Sequence, residues 1–77
     1  MRDNSMQKVY IRDEFIKLGQ ALKLAGLVES GLDAKYAIQE GEVTLNGAVE
    51  TQRGKKCVPG DVISFEGNSF VIEGSSK

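Results

Sequence analysis

Histidine and tryptophan are absent from this 77-residue chain, and cysteine and proline occur once each. Structural or catalytic zinc takes several Cys or His ligands, so no such set is available. A single cysteine excludes an internal disulfide, and a lone thiol fits a reducing compartment. The same scarcity removes the common nucleophile–base pairs, which leaves an enzyme as the weakest reading. Neither a metal nor a cofactor is expected. No apolar run is long enough to span a bilayer. The start, Met1-Arg2-Asp3-Asn4-Ser5, lacks the apolar stretch of a signal peptide. The reading is therefore a cytoplasmic protein with no membrane partner. An excess of either charge is also missing: Lys and Arg total 10 and Asp and Glu total 11, a net charge of -1. That balance argues against a general polyanion binder. Any nucleic-acid surface would need its cations sorted to one side and its carboxylates to another.

The rest reads as one domain with a thin core, since a chain this short buries only about 60% of its unfolded surface. Residues 1–7 and 74–77 are expected to be flexible ends around a single unit, 8–73. Val9-Tyr10-Ile11-Arg12 has the composition of a short strand, and Phe15-Ile16-Lys17 is a second extended piece. Leu18, Ala21, Leu22 and Ala25 fall at i, i+3, i+4 and i+7, which predicts a helix with one apolar face and with Gln20 and Lys23 off it. Gly26 is placed to end that helix. Ser30 followed by Asp33 resembles a capping box at the start of a second helix, whose apolar face is Ala34, Ala37 and Ile38 and whose stop is Gly41. The period then shortens. Val43-Thr44-Leu45, Asn46-Gly47 and Ala48-Val49-Glu50 read as a hairpin, with Asn46-Gly47 structural. Pro59-Gly60 is a turn. Val62–Glu66 and Ser69–Glu73 flank Gly67-Asn68, the expected turn of a second hairpin. The fold class is α+β: two helices packed on a small, mostly antiparallel sheet.

Several residues are candidates for phosphate contact. The start of the second helix, at Ser30 and Gly31, offers free N–H groups and a partial positive charge. Lys35 lies one turn further in. Lys17, Gln20 and Lys23 belong to the entry and first helix. Arg53, Lys55 and Lys56 make the densest basic cluster, with no acid among them. Taken singly, these are ordinary features: an unliganded cap, solvated lysines, or lysines guarding a sheet edge. Tyr36 either stacks on a base or packs on Lys side chains. Tyr10 is read as part of the sheet. Cys57 follows the basic cluster, where lysines would lower its pKa; a small semi-buried apolar role is the favoured reading.

From Leu18 to Ile63 the chain resembles the S-four RNA-binding domain, or alpha-L motif, and within it the small stand-alone bacterial group of ribosome-associated type. Leu18–Leu27 matches the first helix, and Ser30, Ala34, Lys35 and Ile38 match the second. Gly41, Val43, Leu45, Asn46 and Gly47 match a G-x-V-x-V-N-G run, and Pro59-Gly60-Asp61-Val62-Ile63 matches a closing P-G-D-x-I. Glu50-Thr51 before Arg53-Gly54-Lys55-Lys56 is typical of the stand-alone group. Lys17-Leu18-Gly19 departs from the family's Arg-Leu-Asp, and Gly31 stands where Arg is frequent. The resemblance implies binding of structured RNA, ribosomal RNA or a ribosomal particle, through the helices and the start of the hairpin. The implied protein is a monomer, with assembly proteins as further partners. Lys17, Gln20, Lys23, Ser30, Gly31, Lys35, Tyr36, Arg53, Lys55 and Lys56 are the candidate contacts. The competing expectation is a protein-interaction adaptor of the same fold with little RNA affinity, suggested by the near-neutral charge and by Leu32.

Overall fold

A computed structural model describes residues 6–75. The strand pattern begins with β1 (Gln7–Ile11), in which Val9 and Ile11 turn inward and their neighbours outward. A two-residue strand, β2 (Ile16–Lys17), runs straight into helix α1 (Leu18–Leu24). Helix α2 (Gly31–Gln39) follows, and then strands β3 (Val43–Leu45), β4 (Ala48–Val49), β5 (Lys56–Cys57), β6 (Val62–Phe65) and β7 (Asn68–Gly74). The main sheet has the order β1-β7-β6-β3-β4, with β1 parallel to β7 and the other pairs antiparallel. β2 and β5 form a separate antiparallel ribbon. This is the α+β arrangement expected.

The core is where the periodic residues meet. Leu18 and Leu22 of α1, Ile38 of α2, and Val43, Ile63, Phe70 and Ile72 of the sheet are wholly buried. Each large aliphatic or aromatic side chain of this kind contributes about 1.5–3 kcal/mol by leaving water. Ala21, Ala34 and Ala37 are buried between them, and their small side chains let the two helices approach closely. Ser30 caps α2 as expected: its Oγ accepts from the N–H of Asp33 at 3.1 Å. Asn46 (φ 54°) and Gly47 (φ 89°) take the two left-handed positions of a tight hairpin turn. The Asn46 side chain then ties that turn to the Pro59-Gly60 turn. Its Oδ1 accepts from the N–H of Val62 at 2.8 Å, and its Nδ2 donates to Asp61 at 3.0 Å.

One expectation needs correction. The second hairpin turns at Glu66-Gly67 (φ 53° and 82°), one residue earlier than Gly67-Asn68. In that register Ser64 faces Ser69, and their hydroxyls are hydrogen-bonded at 2.7 Å. A left-handed non-glycine residue costs about 1–2 kcal/mol, and Glu66 bears it for this pairing. At the ends of the sheet, Gln7 opens β1 and its Nε2 donates to the carbonyl of Ala25, while Gly74 closes β7. Of the ends expected to be flexible, residues 1–5 and 76–77 lie outside the described residues. Cys57 is fully buried in the core, in keeping with the small apolar role favoured for it, and its thiol pKa is pushed up to about 11. Burial is the main cause, followed by the fields of Asp61 and Glu50; Lys55 pulls weakly the other way.

Candidate nucleic-acid interface

The site is assembled by two backbone hydrogen bonds that join distant parts of the chain. The first amides of a helix have no acceptor inside it. In α1, Leu18 N–H donates to the carbonyl of Lys55 at 2.9 Å and Gly19 N–H to the carbonyl of Arg53 at 3.1 Å. The 53–55 loop is thereby held against the start of α1. The β2–β5 ribbon continues the attachment, with Ile16 opposite Cys57 and Lys17 opposite Lys56.

Against this frame lies a cleft of about 280 Å³ between α1, α2 and the loop. Its walls are Lys17, Gly19, Gln20, Lys23, Gly31, Ala34, Arg53 and Gly54. Among the described residues, three cations line it and no carboxylate does. Gly19 makes room for one of them, since a Cβ there would stand 2.7 Å from Arg53 Cγ and 3.3 Å from Cδ. The aliphatic stem of Arg53 therefore lies across the first turn of α1. Gly31 opens α2 beside the cations, and nothing lies within 4 Å of where its Cβ would be. Open space there leaves the helix start approachable by an anion.

Of the ten candidates, Lys17, Gln20, Lys23, Gly31 and Arg53 are brought together in this cleft. Ser30 is adjacent, with its side-chain oxygen occupied by the cap. Lys35 is half-buried on α2 and is not part of the walls. Lys55 serves through its carbonyl. Lys56 extends over the Phe15 ring, its Nζ 4.7 Å from the centroid, in cation–π contact. Gly19, Ala34 and Gly54 were not among the candidates. A glycine interrupting a helical pattern was the available signal of close approach for Gly19.

Tyr36 belongs to a different surface. It is 54% exposed and lines a hollow with Glu29, Asp33, Glu40, Glu42 and Glu66, where no Lys or Arg is present among the described residues. Helical geometry explains the separation. At about 100° per residue, Tyr36 sits roughly 140° round α2 from Gly31. The two hollows share no residue. The two hollows are thus oppositely lined, with cations at the α1–α2–loop cleft and carboxylates along the far side of α2. Among the described residues, no helix is long and apolar enough to cross a membrane.

Comparison with known proteins places the family and the fold. A family model described as "S4 domain" matches residues 9–73. The "Putative RNA-binding protein YbcJ" of Escherichia coli (strain K12) is 50% identical over 57 residues, covering 74% of this chain and 81% of that protein. The "Probable ribosome maturation protein RlbA" of Bacillus subtilis (strain 168) is 44% identical over 65 residues, covering 83% of this chain and 92% of that one. The solution structure of the E. coli protein, described as an alpha-L motif involved in RNA-binding, superposes with a TM-score of 0.72 at 39% identity. It covers 95% of this chain and 94% of its own.

Proposed function

This chain belongs to the S4 domain family, and from that premise we propose that it binds structured RNA by seating phosphates in the cleft between α1, α2 and the Arg53-Gly54 loop. The observation that carries the reading is the contrast in charge: among the described residues, Lys17, Lys23 and Arg53 line the cleft without a carboxylate, while the hollow on the far side of α2 has Glu29, Asp33, Glu40, Glu42 and Glu66 in its walls and no Lys or Arg. In A-form RNA the deep major groove is closed to side chains, so recognition falls to backbone, 2′-hydroxyls and shape. Arg53 offers a planar fork to a phosphate, and Lys17 and Lys23 offer point charges. Gln20 supplies an amide that both donates and accepts, suited to a 2′-hydroxyl. The Gly31 N–H, at the positive end of α2, is a further phosphate donor. Lys55 and Lys56 add to the local potential from outside the cleft.

The relatives' names extend the reading to a target class. One carries RNA binding in its name and the other ribosome maturation. Ribosomal RNA or a ribosomal particle is accordingly the target we assign, bound by the protein as a monomer. With no nucleophile–base pair or metal cluster evident in the sequence, its role is that of a binding protein, tether or assembly factor and not a catalyst.

The test is a salt series. A labelled hairpin RNA is titrated with protein from 50 to 200 mM salt and followed by fluorescence anisotropy. Three phosphate contacts give a slope of about -2.7 in log affinity against log salt, a loss of about 40-fold over that range. A slope near zero overturns the reading. The adaptor alternative is favoured by one observation: Leu32, next to Gly31, is 56% exposed. Binding through such apolar residues predicts a salt-insensitive protein partner and no RNA complex.

A further inference from the structure

A second hollow, of about 480 Å³, opens between β1 and α1 and shares Gln20 and Lys23 with the cation cleft. Tyr10 and Leu24 line it, 61% and 59% exposed, with Arg12 beside them. The strand explains the exposure. Val9 and Ile11 face the core, so Tyr10 between them faces out. A ring so exposed contributes little to a core that is already thin, yet it stands at the end of a cationic surface. One carboxylate, Asp13, is present against Arg12 and Lys23.

We infer that this hollow is a second RNA subsite, which takes an unpaired nucleotide with its base stacked on Tyr10 and its phosphate held by Arg12 and Lys23. The inference rests on the RNA reading above and specifies its substrate: a stem with an unpaired nucleotide beside it. The argument is one of chemistry and continuity. In a helix the base faces are covered by their neighbours, whereas bases in loops, bulges and ends are free to stack on an aromatic side chain. Leu24 provides an apolar wall for the sugar or base edge. Lys23 stands at the junction, so a strand leaving the first cleft meets the second without crossing an acidic surface. An apolar peptide anchor would have no need of the two cations.

The experiment compares a blunt labelled hairpin with the same stem carrying three unpaired purines at its 3′ end. The extension is expected to tighten binding about tenfold, in the range of a stacked base. Tyr10→Ala lowers the ratio of the two affinities severalfold, leaving the part due to Arg12 and Lys23, while Tyr10→Phe keeps it. Arg53→Ala weakens both RNAs and leaves the ratio intact. With 2-aminopurine in the extension, wild-type protein quenches its fluorescence, a readout independent of how the variants fold. Equal affinity of wild-type protein for both RNAs overturns the subsite, as does an unquenched probe or a ratio unchanged by Tyr10→Ala. If the blunt hairpin binds with its steep salt slope and the extension adds nothing, only the subsite falls. If neither RNA binds, the RNA reading falls with it.

Discussion

Replacing Gly19 with Ala separates stability from binding. The backbone at Gly19 is helical and outside the positive-φ region, so Ala is tolerated there. Gly→Ala at a compatible position gains about 0.4–1 kcal/mol by restricting the unfolded chain. The new Cβ would lie 3.7 Å from the Ala34 Cβ, an ordinary contact, but 2.7 Å from Arg53 Cγ. That second contact cannot persist, and the side chain of Arg53 is free to rotate while its carbonyl keeps the bond to Gly19 N–H. The fold should therefore hold or gain slightly, and one of the cations lining the cleft should leave it. Losing one phosphate contact lowers the salt slope from about -2.7 to about -1.8, and a slope of 0.9 referred to 1 M salt amounts to about fivefold in affinity at 0.15 M. Urea unfolding measures the first effect and anisotropy titrations at several salt concentrations the second. Arg53→Ala should reproduce the binding loss, and the double variant should bind no worse than Arg53→Ala alone, because both substitutions remove the same contact. Wild-type affinity and slope in Gly19→Ala would refute the placement of Arg53 in the cleft. A loss of more than about 1 kcal/mol in stability would refute the claim that its side chain yields.

Three further outcomes follow from the same geometry. Tyr36→Ala should leave hairpin RNA affinity unchanged, since Tyr36 lies among carboxylates; a clear loss in the anisotropy titration would mean the RNA crosses that surface. Ser30→Ala removes the acceptor for Asp33 N–H and should cost about 1 kcal/mol of stability in urea, and an unchanged midpoint would show that the cap is dispensable. Cys57 should resist iodoacetamide at pH 8 in the folded protein and react once unfolded. Its folded pKa of about 11 lies above the ordinary 9.0, so the thiol adds no pH dependence below pH 9. Stability then falls by roughly 2 kcal/mol as pH rises from 9 to 11. The deficit of Cys57→Ala relative to wild type should narrow across that window in urea melts, and a constant deficit would contradict the shift.

What could be read from the chain was what is local. The alternation of Val9 and Ile11, the spacing of Leu18, Ala21, Leu22 and Ala25, the Ser30 cap and the Asn46-Gly47 turn each reside within a few residues, and each appears as expected. What could not be read joins distant segments. The parallel β1–β7 pairing brings Gln7 to Phe70, and the β2–β5 ribbon brings Lys17 to Lys56. Neither leaves a periodic trace in two to five residues. The cleft shows the same division. Lys17, Gln20, Lys23, Gly31 and Arg53 converge, whereas Tyr36 is carried away by the turn of α2 and Lys55 and Lys56 by the direction of β5 and the Phe15 contact. Tyr10, assigned to the sheet from its strand, is in the sheet by backbone and on the surface by side chain. Strand membership alone does not decide which side a residue faces at an edge.

The pairing of Lys17 with Lys56 ties these observations to function. Like charges directly opposite in a ladder destabilise it, and a two-residue ribbon has few hydrogen bonds to oppose that. The ribbon persists because its other pair is Ile16 with the wholly buried Cys57, and because the carbonyls of Lys55 and Arg53 cap α1. Apolar burial and helix capping thus hold two lysines in opposite register on the ribbon. On the proposed reading, bound phosphates would offset that like-charge pairing, so RNA should protect the amides of residues 53–57 from hydrogen exchange more than it protects β6 and β7, which the core already holds. Equal protection across both regions would mean that the ribbon is not under electrostatic strain and that its cations are placed without regard to an anion.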